Sequence, residues 1–165
     1  MKETIVTLFT EYSLLIVFIH ILSAVIWVGG MIAIRIAVHP SLQSIEDPKI
    51  KLGKTLQIVG RLFNLVIPFI TLLIITATLM AVGLGFKGTD LYWLIHVKEI
   101  IWTVMTLNFI YMYRQRKIAQ KFFDTGDFAT AKQKVILLPN ILLPINTVLG
   151  ILAIFAGVIL RGFGF

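Results

Sequence analysis

The stretch FIHILSAVIWVGGMIAIRIAVHP, Phe18 to Pro40, is apolar for almost its whole length yet carries His20, Arg35 and His39. Residues in a helix rise about 1.5 Å each, so a run of this size crosses a hydrocarbon core of roughly 30 Å. The apolar run opens at about Ser13 and closes at Val38, and three more follow at about 62–84, 91–113 and 135–160. This pattern predicts an all-α, four-helix transmembrane bundle that takes up residues 1–165 as a single integral membrane domain. The first run exceeds the short apolar region of a cleaved signal peptide, and its three successors argue for a multi-pass protein.

Composition agrees with the pattern. The chain is 58% hydrophobic and 14% charged, a balance outside the range of soluble domains. With no cysteine, disulfides, thiolate metal sites, iron–sulfur clusters and covalent c-type haem attachment are excluded. The net charge of +7 does not point to nucleic acid, because the basic residues sit between the apolar runs and there set orientation. Arg35, Lys49, Lys51, Lys54 and Arg61 flank or fill the first connection, and Arg114, Arg116, Lys117, Lys121, Lys132 and Lys134 fill the third. Only Lys2, Lys87, Lys98 and Arg161 serve the other side. The positive-inside rule then places both basic connections in the cytoplasm and both termini outside.

Local signals refine the elements. Pro40 is expected to close the first span and the segment after it to be a polar loop with one helical turn. The glycine-rich VGLGFKGTD, residues 82–90, predicts a tight turn between antiparallel spans. Span three is expected to continue as a helix through RQRKIAQKFF and to break at Gly126. Pro139 and Pro144 predict a kink early in span four, where Asn146, Gly150, Ala153 and Gly157 form a small-residue stripe suited to close packing.

Ionisable groups inside a span are costly and normally face protein or water. His20, Ser23, Ala24, Trp27, Gly30, Met31, Ile34, Arg35 and Val38 share one broad helical face, which should point into the bundle. His20 and His39 stand roughly 28 Å apart along the axis and belong to opposite membrane faces. His96, on span three, falls at nearly the depth of His20. One histidine from each of two helices at matched depth is what axial ligation of a haem between helices requires. The alternatives are a buried, hydrogen-bonded His20 and an interfacial His96 beside Tyr92 and Trp93. Lys98 either snorkels to headgroups or faces a ligand carboxylate, Glu99 is placed to orient the His96 ring, and either is a candidate catalytic acceptor of a proton. Gly30, with Gly29, opens room for a neighbouring helix or a flat ligand. Arg35, His39, Arg61, Asn64 and Asn140 collect at the cytoplasmic side, either as anchors or as a site for a tetrapyrrole or quinone headgroup. Met80 is an alternative soft ligand for haem iron or copper.

The order of these features, His20, Trp27, Gly29-Gly30, Arg35, His39, then GRLFNLVIP, YWLIHVK and Asn140-x-x-x-Pro144, resembles the superfamily that joins HemJ-type protoporphyrinogen oxidases with the CopD copper-resistance membrane domain. The likeness extends from about Phe18 to Leu160. It implies b-type haem, oxidation of protoporphyrinogen IX in a bacterial cytoplasmic membrane, and haem or porphyrin roles for His20, Arg35, Arg61 and Lys98, with Trp27 lining the pocket. Ile141 and Ile58 stand where HemJ-type proteins carry a glutamate and a methionine, and Gly29-Gly30 is closer to the CopD pattern. The expectation is a haem-holding membrane redox protein that passes electrons between a quinone or porphyrinogen and a membrane redox partner or a second copy. The rivals are a copper-handling protein using His20, Met80 and His96, and a non-catalytic assembly subunit.

Overall fold

The computed structural model describes residues 2–85 and 88–164, with side chains from 3 to 85 and from 88 to 162. Lys87 and the Lys2 side chain, both part of the charge count above, lie outside the described residues, as does Phe86 of the glycine-rich turn. Every element among the described residues is helical: α1 Lys2–Ala33, a π turn Ile34–Val38, α2 His39–Gln43, α3 Pro48–Gly83, α4 Tyr92–Asp124, α5 Phe128–Val135, a second π turn Leu138–Leu142, and α6 Leu143–Gly164. They form an all-α bundle in which α1 packs on α3 and α6, and α4 packs on α3, α5 and α6.

Three helical runs, Glu3–Gln43, Pro48–Gly83 and Phe128–Gly162, are long and apolar enough to cross a membrane. The run containing α4 does not reach that apolarity, because Lys98, Glu99 and Asn108 interrupt it. It nevertheless shows an apolar outer stripe. Trp93, Val97, Ile100, Val104, Leu107 and Tyr111 are all exposed, and their 3/4 spacing draws a line roughly 27 Å long. That length matches a hydrocarbon core of ~30 Å. Exposed apolar side chains of this extent belong against lipid.

The connection after α1 differs from the expected loop. Asp47 caps α3 by accepting from the backbone N–H groups of Lys49 at 2.7 Å and Ile50 at 3.2 Å, and Pro48 fills the first helical position, where its missing N–H costs nothing. The helix therefore starts at Pro48, well before the expected start of the span at Leu62, and runs unbroken through Pro68 to Gly83. At the other side Gly126, with φ +85°, ends α4 after Asp124 as its sequence predicts, and Asp127 caps α5 through Thr130 N–H at 3.0 Å. The result is a helical stalk beyond the apolar spans. Leu52, Leu56, Ala119, Ala131 and Val135 are buried in it, and Phe123 and Phe128 meet edge-on at 5.2 Å.

Pro40 does not close the first span. A proline inside an α-helix clashes with the carbonyl four residues back, and here the turn before it widens: the His39 N–H reaches the Ile34 carbonyl, five residues away. The same device recurs in span four in place of a simple kink, with the Leu143 N–H on the Leu138 carbonyl and Pro144 next. That geometry leaves the Pro139 carbonyl facing a residue without N–H. Arg35 Nη1 donates to it at 3.3 Å, joining the two π turns. The inserted residue also turns the face begun at His20: Ser23, Trp27, Met31 and Ile34 are buried, as the helical spacing predicts, whereas Arg35 is exposed.

The core is thickest toward the basic end. Phe109 stands edge-on to Trp27 at 6.1 Å and to Phe63 at 5.1 Å, and stacks with Tyr113 at 6.3 Å. Buried polar groups there are satisfied by protein. Asn108 Nδ2 donates to Asn146 Oδ1 at 2.8 Å and to the Leu142 carbonyl at 3.0 Å, and Asn146 Nδ2 donates to the Met105 carbonyl at 3.0 Å. Arg116 donates Nε and Nη2 to the Leu56 carbonyl at 3.0 and 2.9 Å, an approach that only a glycine at position 60 permits.

Candidate functional site: a polar layer away from the basic end

The buried apolar residues fall into two clusters. The larger runs from Trp27 through Phe63, Leu73 and Phe109 into the stalk. The smaller, Leu94, Ala156 and Leu160, lies near the opposite end. Between them the interior is polar: His20 and Ser23 from α1, Thr76 from α3, and Lys98 from α4 against Gly157 of α6.

His20 is half-buried, and its Nδ1 lies 2.9 Å from Thr76 Oγ1. The threonine is itself wholly inside, and its hydroxyl also faces the Leu72 carbonyl four residues back at 2.7 Å, a common arrangement for a threonine in a membrane helix. With that hydroxyl proton directed to the Leu72 carbonyl, the oxygen accepts from the imidazole. His20 is then the Nδ1–H tautomer, and Nε2 keeps a free lone pair. Fixing one ring nitrogen so that the other can coordinate is the usual arrangement around a metal-ligating histidine. Ser23 turns back to the Ile19 carbonyl at 2.7 Å and takes no part.

Lys98 enters the same layer from α4. Its Nζ rests beside Gly157, 3.2 Å from where a Cβ would sit. No carboxylate pairs with it among the described residues. Toward the core, Trp27 Nε1, Trp102 Nε1 and Thr106 Oγ1 are buried with no hydrogen-bond partner among the described residues. Buried donors are normally satisfied. Two of these three lie on the face of α4 that carries Lys98, at positions 102 and 106.

His96 stands elsewhere. Two residues from Lys98 means roughly 200° around the helix, and its ring is exposed, edge-on to Tyr92 at 4.7 Å, with Nδ1 2.9 Å from Glu99 Oε2. Glu99 thus orients His96 as the spacing predicts, but the pair faces outward. At the level of His20, α4 presents Lys98. Met80, half-buried, lies one turn beyond Thr76 on the same side of α3.

The remaining sequence candidates are dispersed. The room beside Gly30 is taken by Leu62, whose Cδ1 sits 2.7 Å from the place of a Cβ, so this glycine serves helix packing. Arg61, Asn64 and Asn140 are exposed, and Asn140 donates to the Ile136 carbonyl of its own chain segment at 2.9 Å. Arg35 is engaged with Pro139, and His39 faces Gln43 at 3.3 Å. These groups make no common pocket. Trp27 is buried in the aromatic core at 2% exposure.

Thr76, Trp102 and Thr106 are the members of the layer that sequence reasoning missed. Thr76 has a weak signal: it is one of three threonines, with Thr71 and Thr78, in an apolar run, and it falls at the depth of His20 on the antiparallel neighbour. Among the described residues no group of three or more histidines and carboxylates comes together as a metal site. No protein-family model, curated protein or solved structure matches this chain.

Proposed function

We propose that the chain is a b-type haem-binding redox protein of a bacterial cytoplasmic membrane, resembling HemJ-type protoporphyrinogen oxidases, with His20 as the protein ligand to the iron. The observation that carries the reading is the His20–Thr76 pair. It holds one imidazole nitrogen and leaves the other without a protein partner among the described residues, which suits a metal ligand better than a core histidine with both nitrogens engaged. The donor set agrees: Lys98 and the unpartnered donors of Trp27, Trp102 and Thr106 suit a group that brings carboxylates or other acceptors and no donors of its own. Haem, when bound, supplies one-electron chemistry whose potential the protein sets by burial and nearby charge.

The chain's own residues have definite tasks in this reading. Thr76 fixes the His20 tautomer. Lys98, as an ammonium, would neutralise an anionic edge of the bound group. His96 and Glu99 lie on the outer surface of α4, away from Lys98, and take no part in the site. The positive-inside rule places this layer in the outer leaflet. Electrons then leave to a quinone, to another membrane redox protein or to a second copy of the chain.

A copper reading rests on His20 and Met80, which share a face of the interior. The reduced-minus-oxidised absorption spectrum of the purified protein separates the two. A b-type haem band that survives in wild type and vanishes in His20→Ala supports haem, and a colourless protein that retains copper supports the alternative. Porphyrinogen oxidation by membranes carrying wild type, lost in Lys98→Ala, supports the enzyme. If oxidation persists at the wild-type rate in Lys98→Ala, the role given to Lys98 fails.

A further inference from the structure

The ionisable groups that the layer around His20 leaves out gather on the outer side of α4. Tyr92, His96, Glu99 and Thr103 follow one another at three- or four-residue steps and are all exposed, so they draw a polar stripe about 16 Å long down the helix. They also touch one another. The Tyr92 ring stands edge-on to the His96 ring at 4.7 Å, His96 Nδ1 lies 2.9 Å from Glu99 Oε2, and Thr103 Oγ1 donates to the Glu99 carbonyl at 2.8 Å. The His96 and Glu99 side chains remain 53% and 63% exposed, and among the described residues no polar atom of another helix pairs with either. Below Thr103 the same face continues with Leu107 and Ile110, both exposed.

Glu99 lies six residues, roughly 9 Å, beyond Trp93, the exposed aromatic residue at the rim of the apolar stripe. An ionisable pair at that depth is costly against lipid and normally faces protein or water. Its cost is least when its net charge is zero, which gives the pair two protons, one between Nδ1 and Oε2 and the other on Nε2. Whichever atom owns the bridging proton, the pair then shows its surroundings one donor, Nε2–H, and one acceptor, Glu99 Oε1. A face with one donor and one acceptor is complementary to itself.

We propose that this face of α4 is where two copies of the chain dimerise, His96 of each donating to Glu99 of the other. Copies share one orientation in the membrane, so a two-fold axis along the membrane normal sets α4 beside α4 with like residues at like depth. His96 and Glu99 then differ in level by about 4.5 Å, a step that a glutamate side chain spans. The two bonds between copies and the two within them close a ring that leaves no donor or acceptor of the pair unused, and Leu107 and Ile110 pack on their counterparts below it. The occupant is a second copy because a lipid headgroup stays at the level of Trp93, and a foreign helix offering only a cation would leave Nε2–H unpaired. The dimer face is separate from the His20 layer and does not depend on haem.

Because the chain has no cysteine, single cysteine substitutions report which faces meet. In proteoliposomes of phosphatidylcholine and phosphatidylglycerol under mild oxidation, Thr103→Cys should give a disulfide-linked dimer. Val25→Cys should not, although Val25 is exposed on α1 and lies five residues inward from His20 as Thr103 does from Lys98. Energy transfer between labelled copies in the same vesicles measures affinity. His96→Leu and Glu99→Leu should each raise the dissociation constant about tenfold. Transfer from one variant to the other should exceed that within either alone, because Glu99 of the first and His96 of the second still form one bond between copies, and this recovery also shows that both variants fold. Monomeric wild type overturns the proposal, as does cross-linking through Val25→Cys as readily as through Thr103→Cys. Undiminished dimerisation of both leucine variants, or a mixture no better than either, contradicts the pairing and with it the proposal.

Discussion

The two ends of this bundle treat buried polar groups in opposite ways. Toward the stalk, Arg116, Asn108 and Asn146 are each enclosed and each satisfied by carbonyls or amides of neighbouring helices, beside a continuous aromatic core. In the layer around His20 the core thins to Leu94, Ala156 and Leu160 and Lys98 has no carboxylate among the described residues, and between this layer and the aromatic core two indoles and a hydroxyl, of Trp27, Trp102 and Thr106, have no partner there. A polar group that is buried and satisfied contributes to the fold. One that is buried and unsatisfied costs stability, and it persists where binding or chemistry requires it.

This contrast makes predictions of both signs. The largest effect belongs to the aromatic core: Phe63→Ala should lower unfolding free energy by about 3–5 kcal/mol, read by chemical unfolding in mild detergent. A comparable loss from Leu94→Ala would erase the distinction between the clusters. Arg116→Met should destabilise by about 2 kcal/mol, through lost charge-assisted bonds to the Leu56 carbonyl. Lys98→Met should act in the other direction. Removing an uncompensated ammonium from a lipid-embedded interior is expected to stabilise the apoprotein by about 1–2 kcal/mol while impairing function, and a destabilised Lys98→Met would show that the ammonium is satisfied after all.

The smallest effect concerns the stalk. Bonds from the side chain and backbone of Thr130 hold the Asp127 carboxyl below the usual carboxylate range. The folded pKa is depressed, so the cap is fully present above the ordinary carboxylate pKa and is lost as pH falls through the lower folded value. Amide exchange in α5 should therefore rise at acid pH, and the rise should be absent in Asp127→Ala, whose exchange is already fast.

The sequence was legible wherever one residue type has one physical meaning. Apolar length shows the spans, Gly126 shows its turn, and the 3/4 spacing from His20 to Ile34 shows the inward face. Half of the stalk was legible, in the helical continuation of span three to Gly126; the other half, whose start is marked by the capping pair Asp47-Pro48, was read as loop because its composition is polar. Pro40 was misleading because a proline's effect depends on whether the turn before it widens, a choice made by packing against span four. The depth of His96 followed correctly from counting, and its direction did not. At matched depth Lys98 and His96 are equally near His20 in sequence terms, and which one turns inward depends on how α4 packs against Gly157 of α6, a tertiary fact that spacing does not encode.

The central claim is that the His20 layer is a cofactor site and that its other polar residues exist to support it. Haem content per protein, measured as the pyridine haemochrome on wild type, His20→Ala and His96→Ala purified in parallel, tests it most directly. The account predicts close to one haem in wild type and in His96→Ala, and essentially none in His20→Ala. Equal haem in His20→Ala and wild type, or no haem in any of the three, would contradict it.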